Sequence, residues 1–295
     1  MIFAILGAIA VFVIALYLFM IMPRVRKRAD VSAVTARPIA HRGMFDNETV
    51  TENSLGSYDA AAERGFAIEI DVHLTSDGVP VVIHDSTVDR VTDGHGRIDS
   101  MTLDELKKIP FKAGDGYVPT LREVLDTVDG RVPLLIELKE GAHPEVADRS
   151  YEVLKDYDGP YAIQSFHPLH LRRWAKLSPG TPRGILADNH RGERDLKERA
   201  GIFFLENMYL NFLCRPDFIS VTPGSLKNNL SIKLCTLFGA KKFAWTLREP
   251  EQYEVARGAK FDGYICENLD RLPWKRDFIG PEKSETRSRE GASTR

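Results

Sequence analysis

Acids and imidazoles recur at the ends of short apolar runs in this chain. His41 follows Pro38-Ile39-Ala40, His84 follows Val81-Val82-Ile83, Glu69 and Asp71 sit within Ile68-Glu69-Ile70-Asp71-Val72-His73, and Glu137 sits within Leu134-Leu135-Ile136-Glu137-Leu138-Lys139. If these runs are parallel strands of one barrel, their carboxyl ends meet on one face, and residues remote in sequence line one pocket. Glu69 and Asp71, two apart on a strand, point the same way, and like charges that close need a cation or shifted pKa values. Glu69, Asp71 and Glu137 offer hard oxygen ligands suited to Mg²⁺ or Ca²⁺, whereas zinc more often draws His and Cys. His41 and His84 supply two imidazoles, a side chain whose unperturbed pKa of about 6.5 lets one act as base and the other as acid. Such a set can cleave a phosphodiester: it can neutralise phosphoryl charge, take a proton from the nucleophile and return one to the leaving alkoxide.

The elements that position these residues read as alternating β and helical stretches, which favours a parallel sheet. Helices are expected at Leu55–Arg64, Thr102–Ile109, Thr120–Val128, Glu145–Tyr157, Pro168–Leu177 and Pro250–Arg257. Strands are expected at Ala67–His73, Val79–His84, Pro133–Leu138, Tyr161–Ser165, Arg183–Leu186, Phe218–Val221, Lys242–Thr246 and Gly263–Cys266, besides the run ending at His41. Thr75-Ser76-Asp77-Gly78 is too short to carry a crossover between parallel neighbours. Phe203–Leu213 is apolar on a wide face, as expected of a helix packed on the barrel or of a lip that dips into a membrane.

Read in order, His41-Arg42-Gly43, Glu52-Asn53-Ser54, Glu69-Ile70-Asp71-Val72, His84-Asp85, Glu137-Leu138-Lys139 and Trp245-Thr246 resemble the pattern of the glycerophosphodiester phosphodiesterase family, from about Arg37 to Leu272. The resemblance implies a TIM (β/α)₈ barrel, with an antiparallel excursion near the second strand and a short insertion, Asp85–Gly116, after the third β run. It implies a divalent metal held by Glu69, Asp71 and Glu137, and His41 and His84 as the catalytic pair. It also carries the family's phosphate contact onto Arg42, whose planar fork suits that task, and brings Glu52 near metal and substrate. Read from position alone, Glu52 could instead cap the helix that follows. Lys139 adds a point charge from the Glu137 strand. Trp245 can stack on the glycerol carbons or pack beneath the site. His73 shares the Asp71 face by strand periodicity and is a further candidate. After the last strand the family usually has Thr-Asp, whereas this chain has Cys266-Glu267-Asn268, and no catalytic role is assigned there.

Ile2–Met22 is an unbroken apolar run, and as a helix it spans about 31 Å, one hydrocarbon core. Arg24, Arg26, Lys27 and Arg28 follow it, so the positive-inside rule places the catalytic domain in the cytoplasm. A cleaved signal peptide would carry a basic n-region and a small-residue cleavage site, and neither is evident. The expected organisation is an anchor at 1–22, a basic tether at 23–36 with a reach of up to about 45 Å, a barrel at 37–275 and a disordered polar tail at 276–295. The formal net charge of −2 offers no basic field for nucleic acid. Cys214, Cys235 and Cys266 are odd in number and lack metal-type spacing, which suits reduced, buried thiols.

The function expected is metal-dependent hydrolysis of glycerophosphodiesters to an alcohol and glycerol phosphate, a reaction of lipid metabolism. The alternative is a lysophospholipase D-type or related phospholipid phosphodiesterase. A glycosidase using two of the carboxylates would need neither metal nor the Arg42 fork. A non-catalytic phospholipid-binding barrel would not need the histidines.

Overall fold

The computed structural model of the protein describes residues 1–141, 143–187, 201, 203–226 and 229–278. Its strands are β1 (Ile39–His41), β2 (Ala67–Leu74), β3 (Pro80–Val82), β4 (Leu134–Leu138), β5 (Tyr161–Ser165), β6 (Arg183–Ala187), β7 (Phe218–Val221), β8 (Lys241–Leu247) and β9 (Gly263–Cys266). All but β3 pair in parallel, in the order β1-β9-β8-β7-β6-β5-β4-β2, and β1 also pairs with β2. The result is a closed eight-stranded barrel with helices outside, as expected of a TIM barrel. β3 runs antiparallel to β2, with His73 opposite Val81. The short Thr75–Gly78 link is therefore a hairpin turn, because a tight connection can join only antiparallel neighbours.

Strand alternation divides the residues of the barrel. On β2, Ile68, Ile70 and Val72 face the surrounding helices, while Ala67 belongs to a separate cluster inside the floor with Ile39, Leu135, Ala162, Phe218, Phe243 and Ile265. Glu69 and Asp71 share the inward face with Ala67, and Glu137 shares it with Leu135. The inner face thus changes from apolar at the floor to charged at the carboxyl ends.

The helices Leu55–Glu63, Leu121–Val128, Val146–Leu154, Pro168–Leu177 and Pro250–Gly258 match expectation to within a few residues, and Leu230–Leu237 adds one that periodicity did not single out. Ser54 and Thr120 cap the first two through side-chain oxygens that accept from backbone N–H groups three residues on. The insertion holds the short helix Leu103–Leu106, a 3-10 turn at Ile98–Ser100 and a small core of Val88, Val91, Ile98, Leu106 and Phe111 packed on Val81 and Ile83.

The N-terminal helix Ile2–Ile21 is exposed for most of its length and meets the barrel only in its last turns. The segment after it departs from the long-reaching tether expected. Arg24 pairs with Asp217 and donates to Pro179 O, Arg28 donates to Phe238 O, and Val31 and Val34 are buried in the floor cluster. Two apolar residues in a polar stretch thus plug the barrel bottom. Arg276–Phe278, expected in the tail, complete the helical turn Lys275–Phe278, where Asp277 accepts from Tyr253 and Arg257. Residues 279–295, expected as the rest of the tail, lie outside the described residues. Phe203–Leu213 is not one helix: residues 203–206 are helical and a turn separates them from the helix Asn211–Cys214.

Candidate active site

His41 ends β1 opposite Glu69, and Asp71 lies opposite Glu137, so strand register brings these four to one end of the barrel. Glu69, Asp71 and Glu137 are buried and each offers an oxygen within 4.8 Å of the others. Two cations lie among them. Lys139 Nζ is 3.0 Å from Glu137 Oε1 and 3.3 Å from Asp71 Oδ1. The Arg42 guanidinium is 3.5 Å from Asp71 Oδ2, and its Nη1 donates to Glu52 Oε1 at 2.8 Å. Three carboxylates against two cations leave one excess negative charge. Burial, with Asp71 and Glu137 adding repulsion, accordingly pushes Glu69 well above the usual carboxylate range. Burial likewise raises Glu137, which Lys139 partly offsets. Burial opposes ionisation of Asp71 too, but Lys139, His84, Arg42 and His41 together hold it below its ordinary value.

Arg42 is placed by a local backbone requirement. It has φ +59° and Gly43 has φ +84°, and a Cβ on Gly43 would sit 2.7 Å from Ser57 O. Only glycine combines that left-handed conformation with so close an approach. The chain can then turn from β1 so that Arg42 N donates to Glu69 and Ser57 caps back onto this loop.

Each imidazole has its own orienting carboxylate. His41 Nδ1 lies 2.7 Å from Glu267 Oε1, and Arg248 donates to both oxygens of Glu267 at 2.7 and 2.9 Å. Burial lowers the His41 pKa, and the Glu267 hydrogen bond offsets part of that. Burial would raise Glu267, yet the His41 and Arg248 bonds bring it down to about 2. His84 Nδ1 lies 2.7 Å from Asp85 Oδ1; Arg90 donates to Asp85 and, through two nitrogens, to Glu52. Glu52 is thus the anchor of a charged chain running from Arg42 to His84, and burial notwithstanding, Arg90 and Arg42 hold it down to about 2. It does not cap the following helix, whose N-cap is Ser54.

The remaining sequence candidates are also placed. Trp245 sits on the pocket wall with its ring edge to face against Phe166 at 5.6 Å, and its buried indole N–H has no partner among the described residues. His73 bonds the backbone after β3: its Nε2 lies 3.2 Å from His84 O, and burial depresses its pKa to about 4. Neutral residues complete the site: Asn53, part of the Glu52-Asn53-Ser54 motif, and Gln164 and Ser220, which sequence patterns did not single out. Asn53 Nδ2 donates to Asp71 Oδ2 at 3.0 Å while Tyr58 donates to Asn53 Oδ1. Ser220 donates to Gln164, whose amide reaches Glu69 at 3.5 Å.

Two connected hollows open from this centre. The inner one, about 100 Å³, is lined by His41, Arg42, Glu69, His84, Glu137 and Trp245 among others. The outer cleft, about 680 Å³, shares Arg42, His84 and Trp245 and extends over Thr222, Pro223, Gly224 and the helix Pro250–Gly258. An inner polar chamber leading to an open cleft can hold a phosphoryl group within and a variable substituent without.

Comparison with known proteins agrees with this geometry. The model of the glycerophosphoryl diester phosphodiesterase family matches residues 41–271. A glycerophosphodiester phosphodiesterase of Caldanaerobacter subterraneus subsp. tengcongensis is 33% identical over 247 residues, covering 79% of this chain and 95% of the relative. Glycerophosphodiester phosphodiesterase 1 of Bos taurus is 36% identical over 264 residues, 76% of each chain. Among solved structures, an Oleispira antarctica phosphodiesterase in complex with the product sn-glycerol-3-phosphate is similar with a TM-score of 0.62 and 27% identity, covering 78% of this chain and 92% of that one. A glycerophosphodiester phosphodiesterase from Parabacteroides distasonis gives a TM-score of 0.64 at 26% identity, with the same coverage.

Proposed function

The chain belongs to the glycerophosphoryl diester phosphodiesterase family, and on that premise we propose that its barrel hydrolyses glycerophosphodiesters to an alcohol and glycerol phosphate, or a lysophospholipid to an alcohol and an acylglycerol phosphate, with a divalent cation, Mg²⁺ or Ca²⁺, at Glu69, Asp71 and Glu137. The observation that carries this reading is the buried carboxylate cluster lying between two imidazoles that each have their own orienting carboxylate. The donor set fits a hard cation: three carboxylate oxygens within reach of one another, one excess negative charge, and a glutamate driven towards protonation without it. Such an ion would supply Lewis-acid stabilisation of the phosphoryl charge. It would also turn the excess charge positive, which a phosphodiester monoanion then neutralises.

The other roles belong to the protein. Arg42, its fork aimed by Glu52, and Lys139 bind phosphoryl oxygens. The ring of Trp245, which lines both hollows, covers the glycerol carbons. One imidazole takes the proton of the nucleophile, either water or a neighbouring glycerol hydroxyl whose cyclic phosphate water then opens; the other protonates the departing alkoxide oxygen, and the P–O bond to the alcohol breaks as the new one forms. Glu267 and Asp85 fix the ring orientations. Ile2–Met22 anchors the protein in the cell membrane as a single span with the barrel in the cytoplasm, an assignment supported by the apolar length and the basic run after it.

Glu267→Gln tests the orienting role. Its carboxylate raises the His41 pKa, so removing that charge lowers it further. The limb of the kcat/KM–pH profile that reports His41 is then expected to move to lower pH, whether that ring serves as base or acid. The loss in kcat is expected to be about tenfold, part of the roughly 10²–10⁴ that a positioned acid or base contributes. An unmoved limb would remove Glu267 from the mechanism.

The reaction itself is tested by product analysis. With glycerophosphocholine and Mg²⁺ or Ca²⁺, the full-length protein is expected to release choline and glycerol phosphate. Release of phosphocholine would place the cleaved bond on the other side of the phosphorus, and absence of turnover on glycerophosphodiesters and lysophospholipids alike would remove the activity.

A further inference from the structure

The N-terminal helix is fixed to the barrel in a defined direction. Tyr17 OH bonds Ser231 Oγ at 2.9 Å, in the first turn of the helix Leu230–Leu237, and four residues on, Ile21 O accepts from Cys235 Sγ and from Asn211 Nδ2. Equal steps along both helices make them parallel. Arg215 donates to Phe19 O and Met22 O and lays its guanidinium over the Phe19 ring, so this junction is a built contact. A helix following a barrel strand runs from the carboxyl-end face, where the active site lies, back to the floor. The N-terminal helix therefore points its apolar, barrel-free part, residues 2–16, past the catalytic face. Arg24 and Arg28 at its other end are bound to the floor.

Around the point where the helix leaves the barrel, that face carries an apolar rim. Leu169 follows β5, Phe203 and Phe204 follow β6, and Leu230 follows β7; each is at least 41% exposed. Glu206 O accepts from Asn229, the N-cap of Leu230–Leu237, which places the 203–206 turn at the same end. Phe203 and Phe204 pack on Tyr209, and Tyr209 on Tyr17, so the rim is continuous with the helix. Leu237, exposed at the floor end, is not part of it.

We propose that the barrel rests with its catalytic face on the bilayer, the Leu169, Phe203, Phe204 and Leu230 rim immersed beside the spanning helix. This rests on reading Ile2–Ile21 as a membrane span. The free stretch from Ile2 to Leu16 spans only about 22 Å, against roughly 30 Å for a hydrocarbon core. The docked turns Tyr17–Ile21 must supply the remaining ~8 Å, a depth within the 5–10 Å reached by interfacial apolar faces. Those turns can enter only if the rim enters with them, and tyrosines are suited to that depth. The outer cleft, whose Thr222–Gly224 wall immediately precedes the rim, then opens towards the headgroups. A glycerophosphodiester bearing an acyl chain can enter it without leaving the membrane.

Full-length protein carrying Leu169→Cys, Phe203→Cys or Leu230→Cys, or Asp158→Cys on the floor, is labelled with an environment-sensitive fluorophore in vesicles of phosphatidylcholine and phosphatidylglycerol. Cys214, Cys235 and Cys266 are buried, and labelling of unsubstituted protein gives the background. Rim labels are expected to be quenched by doxyl lipids and several-fold less by iodide, with the floor label reversed. Rim labels quenched by iodide in protein that resists alkaline extraction would overturn the docking and leave the anchor standing. Protein released by alkali would instead overturn the anchor, and the docking with it. Rim labels shielded from both quenchers would assign the rim to a protein partner or a second copy and overturn contact with lipid.

Discussion

Removal of divalent cations with EDTA is expected to cut hydrolysis of glycerophosphocholine by about 10³-fold, the scale of the several kcal/mol of charge stabilisation a bound metal contributes. Asp71→Ala should produce a comparable loss that added Mg²⁺ or Ca²⁺ does not rescue. Binding can be measured without turnover. A ligand held only by the folded protein stabilises it by about 2.7 kcal/mol at a hundredfold excess over Kd, so thermal unfolding should shift upwards on adding the ion. The pH dependence of that shift has a definite sign. Glu69 is raised in the folded protein above its ordinary 4.5, so the ion-free fold keeps this group's contribution below pH 4.5 and loses it as pH rises to the folded pKa. Ion binding displaces the proton. The gain in Tm should therefore grow with pH across that window. An EDTA-treated enzyme with full turnover, or a Tm indifferent to both ions at every pH, would remove the metal from this site.

The carboxylate cluster was legible because three acids terminate strands that a parallel barrel must bring together, and strand spacing alone makes Glu69 and Asp71 cofacial. The hairpin at Thr75–Gly78 was legible for a similarly local reason, since no parallel crossover fits in so few residues. Glu267 was not. It lies 226 residues from His41 in sequence, and Cys266-Glu267-Asn268 departs from the pattern used to find the other residues. The placement rule that found Glu69 applies to it as well: it follows the last strand at the same face. Asp85 was adjacent to a histidine already singled out, but its link through Arg90 to Glu52 depends on the insertion folding back, which periodicity does not reveal. Gln164 and Ser220 are neutral, and nothing in composition separates them from ordinary barrel polar residues; Asn53 stands in the Glu52-Asn53-Ser54 motif, but its bond to Asp71 depends on that loop folding over the barrel mouth. Val31 and Val34 failed as signals because two apolar residues in a basic stretch carry no period, although the floor of a closed barrel needs a plug. The direction of the N-terminal helix likewise rests on Tyr17, Ile21 and Arg215 meeting partners some 200 residues away.

Replacing either histidine by alanine is expected to lower kcat by roughly 10²-fold or more while leaving the fold intact. The two losses should differ in kind. His41 is nearly buried, with a side chain 7% exposed and clamped by Glu267, whereas His84 is 33% exposed and lines both the inner chamber and the outer cleft. Truncating His41 leaves Glu267 buried beside Arg248 alone, so some stability loss should accompany the catalytic one. His41→Gln, which can still bond Glu267, controls for it. A substrate whose leaving group needs no protonation, such as a nitrophenyl phosphodiester, should partly rescue the variant that lacks the acid and leave the other unrescued. Comparing the two variants on the two substrates thus assigns acid and base. If either variant keeps near wild-type kcat with unchanged circular dichroism, that histidine carries no proton in the reaction. Equal rescue of both would mean that neither ring is dedicated to the leaving oxygen, and the opposed orienting pairs, Glu267 with His41 and Asp85 with His84, would then serve the fold rather than a division of labour between the rings.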